Sequence, residues 1–258
     1  MMTASALEGI GKAGQVNGDT AALEAIKQLN ICSEAEARTT MAMLRSGVNT
    51  VTSTSAGRLF DAVSALLGIR TSSTFEGEAA TALQFAAERA EADLQKSPET
   101  AVNSHTAEIA EAGPGEETEH FQRSTSGAVL AEVSEESNRK SVAESSEPFV
   151  IATDELFADL LRRRLDGEDT DRLAYDFHEG LAQGIVSACE LAREITGINA
   201  VALTGGTFQN LLLLRLCVEP LREKGFRVLI HSMIPPNDGG IGLGQAVAAM
   251  QALNPCER

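Results

Sequence analysis

With 258 residues and 43% hydrophobic content, the chain can close a core around one large domain or two small ones, which excludes disorder throughout. Its 37 acidic against 21 basic residues leave a formal charge of -16, with no Lys/Arg run long enough for a basic stripe, so no nucleic-acid or membrane partner is expected. Cys32, Cys189, Cys217 and Cys256 are scattered and form no CxxC pair, and neither a signal-peptide pattern nor a run of roughly 20 apolar residues is present. These features fit a reducing, cytoplasmic setting.

Residues 5 to 46 carry apolar positions such as Leu23, Ile26, Leu29, Met41 and Leu44 among charges, the pattern of two amphipathic scaffold helices. The polar stretch Thr50 to Ser55 then leads into a helix over Gly57 to Leu67, where Leu59, Phe60, Val63, Leu66 and Leu67 share one face and Gly68 marks the stop. Arg58 and Asp61 fall one turn apart near its start. A third helix follows Thr74 to Gly77, with Ala79, Ala80, Leu83, Ala87 and Ala90 giving a close-packed face.

Between Lys96 and about Pro148, Ser, Thr, Glu and Gly dominate and large apolar residues thin out. A polar insert or linker over 97–148 is expected, with a solvated spacer favoured over a partner-recognition arm; short pieces such as Ala128 to Leu130 could pair as strands. The chain thus divides into a helical part, 1–96, the insert, and an α/β part, 149–258. The last comprises a short helix from Asp154 to Leu165, a long one from about Thr170 to Thr196, and a buried strand Asn199 to Leu203. A helix Phe208 to Lys224, a strand Phe226 to His231, a loop Ser232 to Gly240 and a helix Ile241 to Ala252 follow. Alternation of this kind calls for parallel strands joined by crossover helices.

Two loops carry the chemistry. In Leu203 to Asn210 a strand stops at Gly205 and Gly206 and turns into a helix, so backbone N–H groups can meet an anion and the Asn210 amide can reach a phosphate or ribose; for a bare pair of glycines an ordinary tight turn is the favoured reading. Pro235 to Gln245 holds four glycines in eleven residues. There Asp238 serves as an N-cap or as one carboxylate ligand of a metal, which needs further partners, and Gly239 and Gly240 open space beside it. For His178, on the long helix, a packed and hydrogen-bonded position is favoured over a general acid or base.

These segments resemble the carbamoyltransferase HypF family, which has a GG-hydrophobe-FQN turn, a PPNDGG-x-x-x-GQ loop, an SSAGRLFDAV segment and a YEGQAA segment. The counterparts here are Gly205 to Asn210, Pro235 to Gln245, Thr54 to Val63 and Phe75 to Ala80, in the family's order, with its FH dipeptide at Phe177 and His178. The resemblance implies an α/β, actin-like or sugar-kinase-like lobe of the ASKHA type, with parallel strands, many helices and no first lobe. It implies ATP or carbamoyl-adenylate as the ligand, with Arg58, Asp61, Glu76 and Gly77 on the nucleoside side. Gly205, Gly206, Asn210, Gly239 and Gly240 would lie toward the phosphates, and Asp238 would be a ligand of a divalent metal. Glu78 stands where the family has Gln, adding negative charge beside an anionic nucleotide.

What the resemblance implies for function is carbamoyl transfer to the C-terminal cysteine of a HypE-like protein in [NiFe] hydrogenase maturation. The upstream histidine motif, the adenylate-forming domain, the zinc-finger region and the acylphosphatase domain of that family have no counterpart in these residues. A transferase portion that works with a first lobe from another chain is one reading; a folded relic that binds nucleotide or a partner without catalysis is the other. A sugar-kinase-like phosphotransferase is a weaker third. An uncovered apolar lobe face, and with it docking or homo-oligomerisation, is a further expectation.

Overall fold

The computed structural model describes residues 18–96 and 151–253. The expectations for the first scaffold residues, for the insert including Ala128 to Leu130, and for Cys256 lie outside the described residues. In chain order the elements are α1 (Gly18–Gln28), α2 (Glu34–Ser46), α3 (Ala56–Leu66), α4 (Glu78–Lys96), α5 (Asp154–Leu165) and α6 (Thr170–Thr196). The strand β1 (Ala200–Leu203), a one-turn 3-10 helix (Gly206–Gln209), α7 (Leu211–Glu223) and β2 (Arg227–Ile230) follow. A second 3-10 turn (Asp238–Gly240) and α8 (Ile241–Leu253) complete the set. Among these residues no helix is long and apolar enough to cross a membrane.

Local chemistry sets the boundaries. Ser33 caps α2 through a reciprocal box, its backbone N–H donating to Glu36 Oε2 at 2.9 Å while its hydroxyl accepts from the Glu36 N–H. Asp169 caps α6 by accepting from Arg172 N–H at 2.9 Å, and α6 ends where Gly197 takes a left-handed φ of 70°. The face of α3 bearing Phe60, Val63 and Leu66 is buried, as is the α4 face bearing Ala79, Leu83, Ala87 and Ala90. Helix α4 packs most extensively on α6, and α3 and α7 flank that pair. One core therefore draws on both described segments, with Phe60 meeting Phe177 edge-on at 5.0 Å between ring centroids.

An ion-pair network ties α5 to α6. Arg163 on α5 donates to Asp176 Oδ2 on α6 at 2.6 Å and to Glu168 Oε2 at 2.8 Å, and Arg172 Nε lies 2.9 Å from Asp176 Oδ1. Hydrogen bonding to Arg163 holds the Glu168 carboxyl below the usual carboxylate range. Removing one member would strand a buried charge.

β1 and β2 pair in parallel with Ala200 opposite Arg227 and Leu203 opposite Ile230, joined through α7 in a βαβ unit. Three expectations need correction. The first strand is not buried: Ala200 and Ala202 are exposed and only Leu203 is enclosed, because α7 and the core touch the two-stranded sheet on part of its surface only. The helix expected from Phe208 instead begins at Leu211, since Asn210 adopts extended dihedrals and caps it, leaving Gly206–Gln209 as a separate 3-10 turn. Ile195, assigned to the apolar side of the long helix, is 44% exposed, because α6 runs past its neighbours in its last turns.

His178 lies in the middle of this core, fully buried, its Nδ1 2.7 Å from the Ala174 carbonyl. Burial disfavours the imidazolium and pushes its pKa from an ordinary 6.5 down to about 4. The unfolded chain therefore binds more protons than the folded one between those values. Stability is fully present above the unfolded pKa and falls as pH drops from about 6.5 toward 4. At about pH 5 the loss attributable to this residue is about 2 kcal/mol. Urea midpoints of wild type and His178→Gln at about pH 7.5 and about pH 5 measure it. The variant should lose clearly less stability on acidification, and equal losses would contradict the assignment.

Candidate functional site

Parallel pairing puts the C-terminal ends of both strands at one edge of the sheet, and loops leaving that edge necessarily lie side by side. Thr204 and His231, the residues just beyond β1 and β2, touch through Oγ1 and Nε2 at 2.7 Å and hold the two exits together. From there one loop runs to Gly206 and Asn210 and the other to Asn237 and Asp238, and both reach the same cleft of about 630 Å³. Its opposite wall comes from the start of α3 (Ser55, Gly57, Arg58, Phe60, Asp61) and from the turn and first helical turns of α4 (Glu76, Gly77, Ala80, Thr81, Gln84). A volume of this size accommodates a drug- or nucleotide-sized ligand.

The candidate residues Arg58, Asp61, Glu76, Gly77, Gly206, Asn210 and Asp238 line this one cleft, whereas Gly205, Gly239 and Gly240 shape the turns behind its wall. Gly205 has φ 98° and ψ 160°, a conformation closed to residues with a Cβ, and this sends the chain from β1 into the cleft. At Gly240 a Cβ would come within 3.0 Å of the Pro235 carbonyl, so the tight fold of the loop on itself already demands glycine there. Asp238 is the first residue of its 3-10 turn rather than its cap: the Asn237 side chain accepts from Gly239 N–H at 3.1 Å and occupies the capping role.

Electrostatically the cleft is mixed. Arg58 and Asp61 form the ion pair that their spacing suggested, at 2.9 Å, with Arg58 largely exposed to the cleft and solvent. Glu76 and Asp238 add two more carboxylates to the wall. Ser55 precedes α3 in extended conformation but makes no capping bond with its side chain, and Gly205 offers none to the 3-10 turn. Two helical starts thus bring first-turn N–H groups without side-chain caps to the cleft.

Asn210 does not present a free amide. Its Oδ1 accepts from Leu213 N–H at 3.0 Å and its Nδ2 lies 2.9 Å from His178 Nε2, so only a side of it faces the cleft. Glu78 points elsewhere: its carboxylate accepts from Thr74 N–H at 2.6 Å and from the Thr74 hydroxyl at 3.0 Å, near Arg70, and these bonds hold its pKa below the usual range. The expected charge of Glu78 against a nucleotide is replaced by a role in shaping the Thr74–Gly77 turn.

Among the described residues no group of three His, Cys, Asp or Glu side chains is arranged to hold a metal. Burial raises the Cys32, Cys189 and Cys217 thiols, the last to about 12, so none of the described cysteines is prepared as a thiolate. Sequence reasoning passed over Thr81 and Gln84 in the wall. The signal for them was helical spacing, since 77, 80, 81 and 84 repeat as i, i+3, i+4 and i+7 on one face of α4.

Comparison with known proteins places this architecture. Residues 2–114 and 126–245 match the family model described as carbamoyltransferase, Kae1-like domain, second subdomain. The probable carbamoyltransferase HypF of Methanocaldococcus jannaschii is 27% identical over 88% of this chain and 24% of its own length, and carbamoyltransferase HypF of Rhodobacter capsulatus is 32% identical over 80% and 21%. A crystal structure of full-length HypF in the phosphate- and nucleotide-bound form superposes with a TM-score of 0.64 at 27% identity, covering 97% of this chain and 26% of that one. The chain spans about a quarter of the length of these relatives. A helix-rich α/β fold with parallel strands is common to them, and the chain belongs to the HypF carbamoyltransferase family.

Proposed function

We propose that this chain is the nucleotide-holding portion of a carbamoyltransferase of hydrogenase maturation, an actin-like lobe of the ASKHA type that grips ATP or carbamoyl-adenylate in the cleft beside Arg58 and Gly206. The observation that carries the reading is the convergence of two helical starts without side-chain caps, at Ala56 and Gly206, on one cleft of about 630 Å³ that also holds a guanidinium. The HypF relative solved with phosphate and nucleotide bound adds support, since 97% of this chain superposes on it.

Charge bookkeeping refines the ligand. Against Arg58 stand Asp61, Glu76 and Asp238, so a bare polyphosphate would meet net repulsion. A nucleotide arriving with its own divalent cation removes that conflict, with the Asp238 carboxylate placed to meet the cation. In the transfer step a thiolate of a HypE-like acceptor attacks the carbamoyl carbon, the bond from that carbon to the phosphate oxygen breaks, and AMP leaves with the electron pair. Arg58 and the backbone N–H groups stabilise the departing phosphate. This chain supplies placement of charge, and the nucleophile comes from the acceptor.

A complementary chain fits the same reading. Leu229 and Ile230 on β2 are each 44% exposed, and α8 shows Ile241, Leu243, Val247 and Met250 at 48–65% exposure, apolar surface that further protein could cover. A first lobe from another protein that continues the sheet would cover it, in the cytoplasm where both chains are made. A non-catalytic relic is the second reading.

Gly206→Ala provides a clean test, because a Cβ there meets no atom within 4 Å and the fold tolerates it. Calorimetry with ATP and Mg²⁺ should show binding by the wild type and at least about tenfold weaker binding by G206A at unchanged melting temperature. Equal affinities would take the ligand out of this cleft. A second experiment separates transferase from relic. Mixed with a protein bearing the first lobe, carbamoyl-adenylate and a HypE-like acceptor, the chain should support carbamoylation of the acceptor's cysteine, read by mass spectrometry. No transfer in a mixture that forms the complex would select the relic.

A further inference from the structure

His178 contributes no atom to the wall of the cleft, yet it touches two residues that do. Its ring stands edge-on to Phe60 at 5.5 Å between centroids, and its Nε2 lies 2.9 Å from Asn210 Nδ2. Phe60 belongs to α3 and Asn210 to the β1 exit, the two sides that bring the unprotected helical starts to the cleft. His178 itself rides on α6, with Nδ1 2.7 Å from the Ala174 carbonyl.

The hydrogen-bond roles are fixed by elimination. Ala174 offers only a carbonyl, so Nδ1 must carry the proton and Nε2 must accept. Asn210 Oδ1 already accepts from the Leu213 N–H at 3.0 Å, so the atom facing Nε2 is the NH₂ group, a donor. The Ala174 carbonyl, both His178 ring nitrogens, the Asn210 Nδ2 and Oδ1 and the Leu213 N–H then each have a partner of the correct kind, with the imidazole itself fully buried. Neither an imidazolium nor the other tautomer fits, since each would set N–H against N–H.

We propose that His178 is a positioning residue that fixes the Asn210 amide, and through it the Gly206–Asn210 turn, against α3 at the floor of the cleft. It acts as a neutral acceptor and not as an acid or base. Without it the Asn210 side chain has to seek another partner. The cap of α7 and the placement of the Gly206 and Thr207 N–H groups then loosen together. The consequence for ligand binding rests on the nucleotide reading above; the clamp itself does not.

A double-mutant cycle with His178→Leu, Asn210→Ala and the pair, titrated with Mg²⁺ and ATP, separates positioning from general packing. H178L should bind about tenfold more weakly, H178Q should stay within about threefold because its amide oxygen can accept from Asn210, and H178L should cost nothing further in the N210A background. Wild-type affinity in H178L would overturn the proposal, as would losses that multiply in the double variant. A long-range ¹H–¹⁵N spectrum of the ligand-free wild type should show Nε2 unprotonated, and a protonated Nε2 would overturn it even if H178L does not fold. If the wild type binds no nucleotide, the nucleotide reading falls while an unprotonated Nε2 in the same sample upholds the clamp.

Discussion

The parallel pairing of two four-residue strands is the constraint on which the rest depends. Four residues of ladder from Ala200 to Leu203 form a small sheet, yet their direction sends both exits to the same edge. An antiparallel pair would have separated the Gly205–Gly206 turn from the Asn237–Asp238 turn by the length of a strand. The crossover helix α7 makes parallel pairing possible, and its first-turn leucines, Leu212 and Leu213, anchor it in the core. Position in the sheet thus turns two separate stretches of sequence into neighbouring parts of one cleft.

Much of this was legible in the residues. Helices with an apolar face, such as Thr170–Thr196, stood where periodicity put them, and Gly68, read as a stop, takes a left-handed φ just past its helix. Less legible were features decided by tertiary neighbours. Asn210 reads as a ligand contact because it follows two glycines, but a buried histidine from 32 residues upstream claims its amide. Glu78 reads as an added charge at the site because its motif neighbours line the cleft. Its own position at the first residue of α4 turns it back to Thr74 instead. The β1 run looked buried because it is apolar; apolarity reports what a surface would prefer to touch, and the described residues leave Ala200 and Ala202 exposed.

That mismatch between composition and burial recurs at the chain's end. Helix α8 is apolar on most sides and buries none of its residues among the described ones, while polar α1 to α4 enclose their apolar faces well. A helix that is hydrophobic all round is stable when surrounded. The same holds for a parallel two-stranded sheet, whose strands are normally covered on both faces. Both features leave apolar surface exposed among the described residues, and α8 starts directly after the turn that carries Asp238.

The distribution of charge follows from the same geometry. Ionised groups at the cleft sit at its rim, where Arg58 and Asp61 neutralise one another and water screens what remains. Beneath the floor the polar groups are neutral: an imidazole, a carboxamide and two backbone groups, each satisfied once. A charged residue in the place of His178 would need several kcal/mol of compensation at zero exposure, and its field would act on whatever occupies the cleft above. A neutral acceptor holds the turn without adding to the charge of the site. Burial keeps it neutral through the physiological pH range, so its hold on the Asn210 amide is insulated from proton concentration.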